Sequence, residues 1–536
     1  MTATHSSASP TGSTTTPDPI PCVEPATGRA LGTVPVTSPD EVRRKIAIAR
    51  DAQPEWAASS FATRRSVLRH IQRSLLEQAD QLCELIVRDA GKTRHNAMVG
   101  ELWPVSEKIR WTIANGEKHL KPERVSSGLF VHKKATIEYR PLGVIANICP
   151  WNYPLQNILG PTIHALFAGN AVVVKPSEHV AFSAQAIAKL VHDALRAHDY
   201  PTDLFQVVHG YGETGAALVS GGVDLVVFTG SMGNGRRVLA ESAKSITPVI
   251  LELGGKDAMI VCDDADIEHA AHAALNGSYI AAGQNCLAAE RSLVHATIYD
   301  RFVERVTELA GALRQGHSLE EPVDVGALVT PQQLAIVEHL VDDAVRKGAR
   351  AVVGGKKLDR KGNYFAPTVL VDCTPDMRIM QEETFGPVMC VAKVKDDLDA
   401  IRIANGTQYG LSATVISKDR KRAKKIADGV VSGSASVNDF GFTYMAQDLP
   451  FGGIKGSGFG RLNGRDGLRA CTNPKAVLED RFPLPSAPAK VFPVGTDDYD
   501  LVRGVLRTLY GADLTQKVKG LGDLAFTLRA KLGRKK

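Results

Sequence analysis

A chain of 536 residues is too long for one ordinary core, and a composition 44% hydrophobic and 23% charged is that of a globular protein with two or three domains. The formal charge of +6 is small for this length and does not argue for nucleic acid, and none is expected as a partner. No apolar run reaches the ~18–20 residues needed to span a bilayer.

Ten Lys/Arg against five Asp/Glu between Ser486 and Lys536 carry nearly all the excess charge, so the body is close to neutral. The eight cysteines are scattered, with no C-x-x-C, H-E-x-x-H or His/Cys cluster, so no metal is expected. The absence of a signal peptide adds the expectation of a reduced, cytoplasmic setting.

Residues 1–19 are rich in Ser, Thr and Pro and are expected to be disordered. From Ser38 to about Gly116 the pattern is helical. A Ser cap and acidic first turn open one stretch, and apolar residues at three- and four-residue spacing run on to Gly91. Residues 124–140 alternate in the manner of a hairpin. From Pro141 short Val/Ile-rich strands (VIANI, AVVVK, FQVVHG, LVVFTG) alternate with helices, the pattern of a parallel sheet covered on both faces. A second such alternation follows Cys286, through ARAVVGG, YFAPTVLVDC and VMCVAKVK.

Several motifs lie on these elements. ICPWNYPLQN sets Trp151 and Asn152 just after a strand, and VVVKPSEH ends a strand on Lys175 with Glu178 close behind. VVFTGSMGNGRRV is a strand, a glycine turn (Gly230, Ser231) and a helix opening, which offers free backbone N–H groups to a phosphate or merely permits a tight turn. VILELGGK carries Glu252 before two glycines, and AGQNCLAAER carries Cys286, 34 residues later. A thiol attacks only as thiolate, with an unperturbed pKa of about 8.5, and a carboxylate within reach is a general base worth about 10²–10⁴-fold. EETFGPV adds Glu383 and Phe385, and a glycine-rich block surrounds Phe451 to Arg461.

LELGGK and GQNC at this separation resemble the general-base and nucleophile signatures of the aldehyde dehydrogenase superfamily, and the other motifs follow in that family's order from about Ile20 to Phe482. The resemblance implies an α/β fold of two Rossmann-like parallel-sheet domains with a small β oligomerisation arm. The expected division is 20–123 with 141–252 for the NAD-binding domain, 253–469 for the catalytic domain, 124–140 with 470–485 for the arm, and 486–536 for a basic extension. Cys286 would be the nucleophile, Glu252 the base and Asn152 an oxyanion donor. Trp151, Lys175, Glu178, Gly230, Ser231, Glu383 and Phe385 would meet NAD. Glu178 favours NAD over NADP, because a carboxylate accepts from a 2′-OH and repels a 2′-phosphate.

The implied reaction is oxidation of an aldehyde to a carboxylic acid through a thiohemiacetal and a thioester. The alternatives are a coenzyme A-acylating or semialdehyde-specific dehydrogenase, or a non-enzymatic binding protein. A homodimer or homotetramer is implied. Tyr153, Leu287, Phe440, Phe442 and Tyr444 would line a channel for an apolar or aromatic aldehyde or be ordinary core, and no Arg cluster marks a carboxylate-bearing substrate. In the tail, Leu501, Val505 and Leu509 fall on one side of a helix and Arg503 and Arg507 on the other. Such a helix pair would pack on the body or a partner subunit, or dock on an anionic membrane.

Overall fold

A computed structural model describes residues 18–482 and 492–533. Most of the expected disordered segment lies outside the described residues. Ser38 caps the helix Pro39–Ala58, its hydroxyl accepting from the Glu41 amide at 3.2 Å. The next helical stretch is two helices, Phe61–Glu77 and Ala79–Ala90, joined at Gln78. The second stops at Gly91, whose φ of +68° closes the helix in the left-handed conformation.

The first large sheet has six strands in the order Gly458–Phe459, Val249–Leu253, Leu225–Gly230, Val144–Ile148, Ala171–Lys175 and Phe205–Val207. The last five strands pair in parallel, while Gly458–Phe459 runs antiparallel to Val249–Leu253. Every residue of Val144–Ile148 and Ala171–Lys175 is buried, which is why these strands read as unbroken Val/Ile runs. The chain leaves Val144–Ile148 toward one edge, then returns to its other side with Leu225–Gly230. That reversal opens a crevice at the strands' carboxyl ends, the place where doubly wound sheets receive ligands.

The second sheet has seven strands, ordered Arg350–Val353, Thr368–Val371, Val388–Val394, Arg291–His295, Ala258–Val261, Ala413–Ile416 and Ser436–Val437. It is parallel except for the first pair. Each sheet packs with its helices around its own apolar core. The strand Val249–Leu253 of the first sheet is followed directly by Ala258–Val261 of the second, so the covalent link between them is a few residues long.

A three-stranded sheet is ordered Thr472–Asp480, Lys133–Pro141 and Glu123–Val125. Among the described residues two compact units are present, one drawn from residues up to Glu123 with Ile137–Lys475, the other from Arg124–Thr136 with residues from Ala476 onward. In the second unit the helices Asp498–Tyr510 and Leu514–Gly533 form a hairpin. Its contact face differs from the expected amphipathic one. Gly504 lies where a Cβ would press on Leu524, Gly520 lies against Thr508, and Arg507 pairs with Asp523 at 2.8 Å. Close approach at the two glycines turns Tyr499, Val502, Leu506 and Leu509 outward, toward solvent.

Candidate active site

Glu252 lies on the strand Val249–Leu253, where one neighbour is Thr229 and the other Gly458. Its side chain is buried, and Oε1 has no hydrogen-bond partner. Burial pushes its pKa up to about 7, and hydrogen bonding to the Cys286 thiol holds it back only in part. The thiol itself is pushed well above its ordinary value by burial and then by the Glu252 charge. The two groups therefore stand beside each other as a neutral thiol and a carboxyl poised to ionise near neutrality.

Two glycines bring the pair together. A Cβ on Gly255 would stand 2.6 Å from the Cys286 carbonyl oxygen, and one on Gly254 would collide with the Glu383 carboxylate. Gly283, at φ +72°, fits against the Gly386 carbonyl with no room for a side chain. Ala281 and Ala282 carry φ of 51° and 55°, strain concentrated in the turn that presents Cys286. Gln284 anchors that turn, accepting from the Val329 amide at 2.9 Å and donating to the Ala281 carbonyl at 3.1 Å.

Asn152 follows the strand Val144–Ile148 and precedes the helix Pro154–Ala168. Asn157 Nδ2 donates to Asn152 Oδ1 at 3.2 Å, which leaves Asn152 Nδ2 to donate to the Gln284 carbonyl at 3.1 Å, two residues from Cys286. An amide so oriented has a second N–H for a developing oxyanion.

Sequence reasoning missed the groups that hold this loop. Lys92 Nζ donates to the Asn152 carbonyl at 2.6 Å and to Glu101 Oε1 at 2.7 Å. Glu101 Oε2 accepts from the Gln156 amide at 3.0 Å. Both charges are fully buried; burial pulls the Lys92 pKa down and pushes the Glu101 pKa up, while their attraction opposes both shifts. Glu101 lies in a π-helical turn, Met98–Leu102, between two α-helices. A second buried pair, Lys256 with Glu290, supports the other side, Glu290 accepting from the Thr384 and Phe385 amides at 2.8 and 2.7 Å. Its spacing repeats the 34 residues between Glu252 and Cys286, the one signal that could have revealed it.

Of the residues expected to meet a dinucleotide, Trp151, Lys175, Glu178, Gly230 and Ser231 lie at or just after strand ends of the first sheet. Trp151 and Phe385 meet edge to face, ring centroids 5.4 Å apart, with Phe385 held at φ +50°. Glu383 accepts from the Gly255 amide at 3.1 Å, and burial pushes its pKa well up. Lys175, at a strand's carboxyl end, is buried with one long contact to the Pro176 carbonyl at 3.4 Å, and burial lowers its pKa. Such an under-satisfied ammonium suits a ribose hydroxyl. Gly230 ends its strand, and Ser231 caps the helix Met232–Ser242; a Cβ on Gly233 in its first turn would meet nothing within 4 Å. That open helix N-terminus suits a pyrophosphate. Glu178 lies in a short turn, its carboxylate partly exposed, 3.3 Å from the Ser177 hydroxyl.

A doubly wound sheet with an open glycine turn at a helix N-terminus, and a buried thiol and carboxyl on the wall of one cavity, has the architecture of a dinucleotide-dependent oxidoreductase that works through a cysteine. Comparison with known proteins gives the family. Residues 12–477 match the model of the aldehyde dehydrogenase family. The chain is 39% identical over 504 residues to an aldehyde dehydrogenase-like protein of Schizosaccharomyces pombe, covering 92% of this chain and 96% of that one. It is 37% identical over 451 residues to the NADP-dependent succinate-semialdehyde dehydrogenase of Escherichia coli, covering 84% and 92%. Betaine aldehyde dehydrogenase of Staphylococcus aureus, solved with NAD+, superposes with a TM-score of 0.83 at 31% identity, covering 89% and 93%.

The chain belongs to the aldehyde dehydrogenase family. It is an oxidoreductase that oxidises aldehydes with a nicotinamide dinucleotide.

Proposed function

We propose that Cys286 is the nucleophile, Glu252 the general base and Asn152 the oxyanion donor in oxidation of an aldehyde to its carboxylic acid. The observation that carries this reading is the meeting of Cys286, Glu252 and Asn152 on the wall of a single cavity. The Cys286 thiol loses its proton to solvent, and the thiolate sulfur bonds to the aldehyde carbon. The carbonyl oxygen becomes an oxyanion within reach of Asn152 Nδ2, a donor of the kind worth about 2.7–4 kcal/mol in the transition state. A bound dinucleotide would supply the hydride acceptor for that carbon, and Cys286 would then carry the acyl group as a thioester. Glu252, as its carboxylate, takes a proton from water; the hydroxide bonds to the acyl carbon, the C–S bond breaks, the thiolate recovers that proton from Glu252, and the acid leaves.

The dinucleotide is proposed to be NAD. Lys175 and Glu178 would hold the adenosine ribose, Gly230 and Ser231 the pyrophosphate, Trp151 the nicotinamide-side phosphate, and Glu383 and Phe385 the nicotinamide riboside. The Glu178 carboxylate supports NAD by repelling a 2′-phosphate, even though an Escherichia coli relative is NADP-dependent. A kcat/KM at least tenfold higher with NAD than with NADP is the expected result; equal values would remove the assignment.

Residues 20–123 with 141–252 are proposed as the cofactor domain and 253–469 as the catalytic domain. The strands at 123–125, 133–141 and 472–480 are proposed to pair with a second copy in a homodimer or homotetramer. No helix among the described residues is long and apolar enough to cross a membrane. The exposed apolar side chains of the tail hairpin, set among its basic residues, support peripheral membrane contact of an otherwise cytoplasmic enzyme.

Cys286→Ser should abolish turnover and leave dinucleotide binding intact, measured by NADH formation and by fluorescence titration. Retained turnover would refute the nucleophile.

A further inference from the structure

The cavity that reaches Cys286 is about 740 Å³ in volume. Glu252, Asn152 and Cys286 line it, and none of Trp151, Lys175, Glu178, Ser231, Glu383 or Phe385 does. It is therefore space for the aldehyde, on the far side of the thiol from the proposed dinucleotide residues. Beside the polar groups at the sulfur (Glu252, Asn152 and Asn285), the wall is apolar: Leu287 and Phe451 are buried in a cluster that also takes in Tyr444 and Leu462. Farther out, Val99 and Trp103 line it from the π-turn and the helix that follows, and Leu275, Leu309 and Leu313 from the helices Ile267–Tyr279 and Tyr299–Gly311 and the turn after them. Trp103 and Phe442, each 55% exposed, line the cavity and also reach solvent, an apolar lip at its mouth.

Charge is nearly absent from this wall. Among the described lining residues Lys108 is the sole Lys or Arg. Its ammonium is buried, donates to Asn463 Oδ1 at 2.5 Å, and is pulled down to about 7 by burial. Asp324, at another part of the wall, is held by Arg314 at 2.9 Å. A carboxylate is bound best by an Arg fork or an uncommitted ammonium; the wall has no Arg, its Lys108 is bonded to Asn463, and of its two histidines, His95 and His272, the second is paired with Glu268. At ~30 Å³ for each water-sized group, the space holds about twenty-five. A three- or four-carbon aldehyde would leave most of it wet against apolar side chains.

Resting on Cys286 as the nucleophile, we propose that the substrate is an elongated apolar aldehyde with no charged group at its far end, whose chain is buried between the π-turn wall and the Leu275–Leu313 wall. Each methylene that enters should raise kcat/KM about fourfold, the transfer free energy of one CH₂.

The test is kcat/KM, from NADH formation, for propanal, hexanal, decanal and succinate semialdehyde with the full-length enzyme. The expected result is a steep rise from propanal to decanal, with succinate semialdehyde at least about a hundredfold below hexanal, the cost of a carboxylate on an apolar wall. A flat or falling series, or a preference for succinate semialdehyde, would overturn the proposal while leaving the cysteine chemistry standing. No turnover of any aldehyde would remove the catalytic reading and the proposal together. Leu313→Glu adds an independent arm: it should cut decanal about tenfold or more and propanal far less, by placing a charge where only a long chain reaches. Equal losses for both would mean that decanal does not occupy that wall.

Discussion

A carboxyl kept from ionising below about pH 7 is a base only above it, and Glu252 is in that position because burial outweighs hydrogen bonding to the thiol. Under the proposed mechanism kcat should rise with pH through about 7. Glu252→Gln should flatten that rise, lower steady-state kcat by about 10²–10⁴-fold and still release a single burst of NADH, read by stopped flow. Loss of the burst along with the steady state would mean that Glu252 acts before the thioester or that the base is another group. The same shift has a stability consequence. The folded pKa is raised above the unfolded value, so the contribution is fully present below the unfolded carboxyl's 4.5 and lost as pH climbs to about 7. The loss is at most on the order of 3 kcal/mol. Glu252→Gln escapes it, so the variant should melt higher than the parent at pH 8, with the gap closing toward pH 4.5, by calorimetry.

At the scale of elements, the site depends on how a few chain ends are clamped. The π-turn Met98–Leu102 delivers Glu101 to Lys92, and that pair grips the Asn152 carbonyl and the Gln156 amide at the start of the helix Pro154–Ala168. Glu101→Gln leaves Lys92 buried without its counter-ion and should cost about 3–5 kcal/mol of stability in denaturant unfolding. Replacing both with Met should recover most of that stability but not kcat, because the Asn152 carbonyl would still lack its Lys92 donor. Full recovery of both would reduce the pair to scaffolding. Gly255 is the tighter constraint: Gly255→Ala would push the end of the Glu252 strand away from the Cys286 carbonyl, and the reaction should slow even where the fold survives.

At the scale of the molecule, the body and the tail pose separate questions. The hairpin Asp498–Tyr510 and Leu514–Gly533 turns Tyr499, Val502, Leu506, Val518, Leu521 and Phe526 outward, and the second helix carries more Lys and Arg than acid. An apolar stripe flanked by cations is suited to an anionic interface. Full-length protein should co-sediment with phosphatidylserine-containing liposomes, and a chain lacking residues 486–536 should not. Co-sedimentation unaffected by the deletion would return the hairpin to the role of packing on a subunit. A substrate of the proposed apolar class would partition into the same interface, so the two tests bear on one another without depending on one another.

The sequence by itself determined the alternation of strands and helices, the family, and the residues able to do covalent chemistry. Those are local matters: β-branched runs buried on both faces, glycines at turns, and a Cys and a Glu in short, distinctive settings. It also carried the aromatic segment around Phe440 to Tyr444, but could not say whether those rings were core or channel. That was decided by the tertiary structure, because a cavity wall is assembled from helices far apart in the chain and leaves no periodicity in any of them. The same holds for Lys92, Glu101 and Lys108. A buried ammonium reads in sequence like a solvated one, and its partners, the Asn152 carbonyl and the Asn463 side chain among them, exist only once the chain has closed on itself.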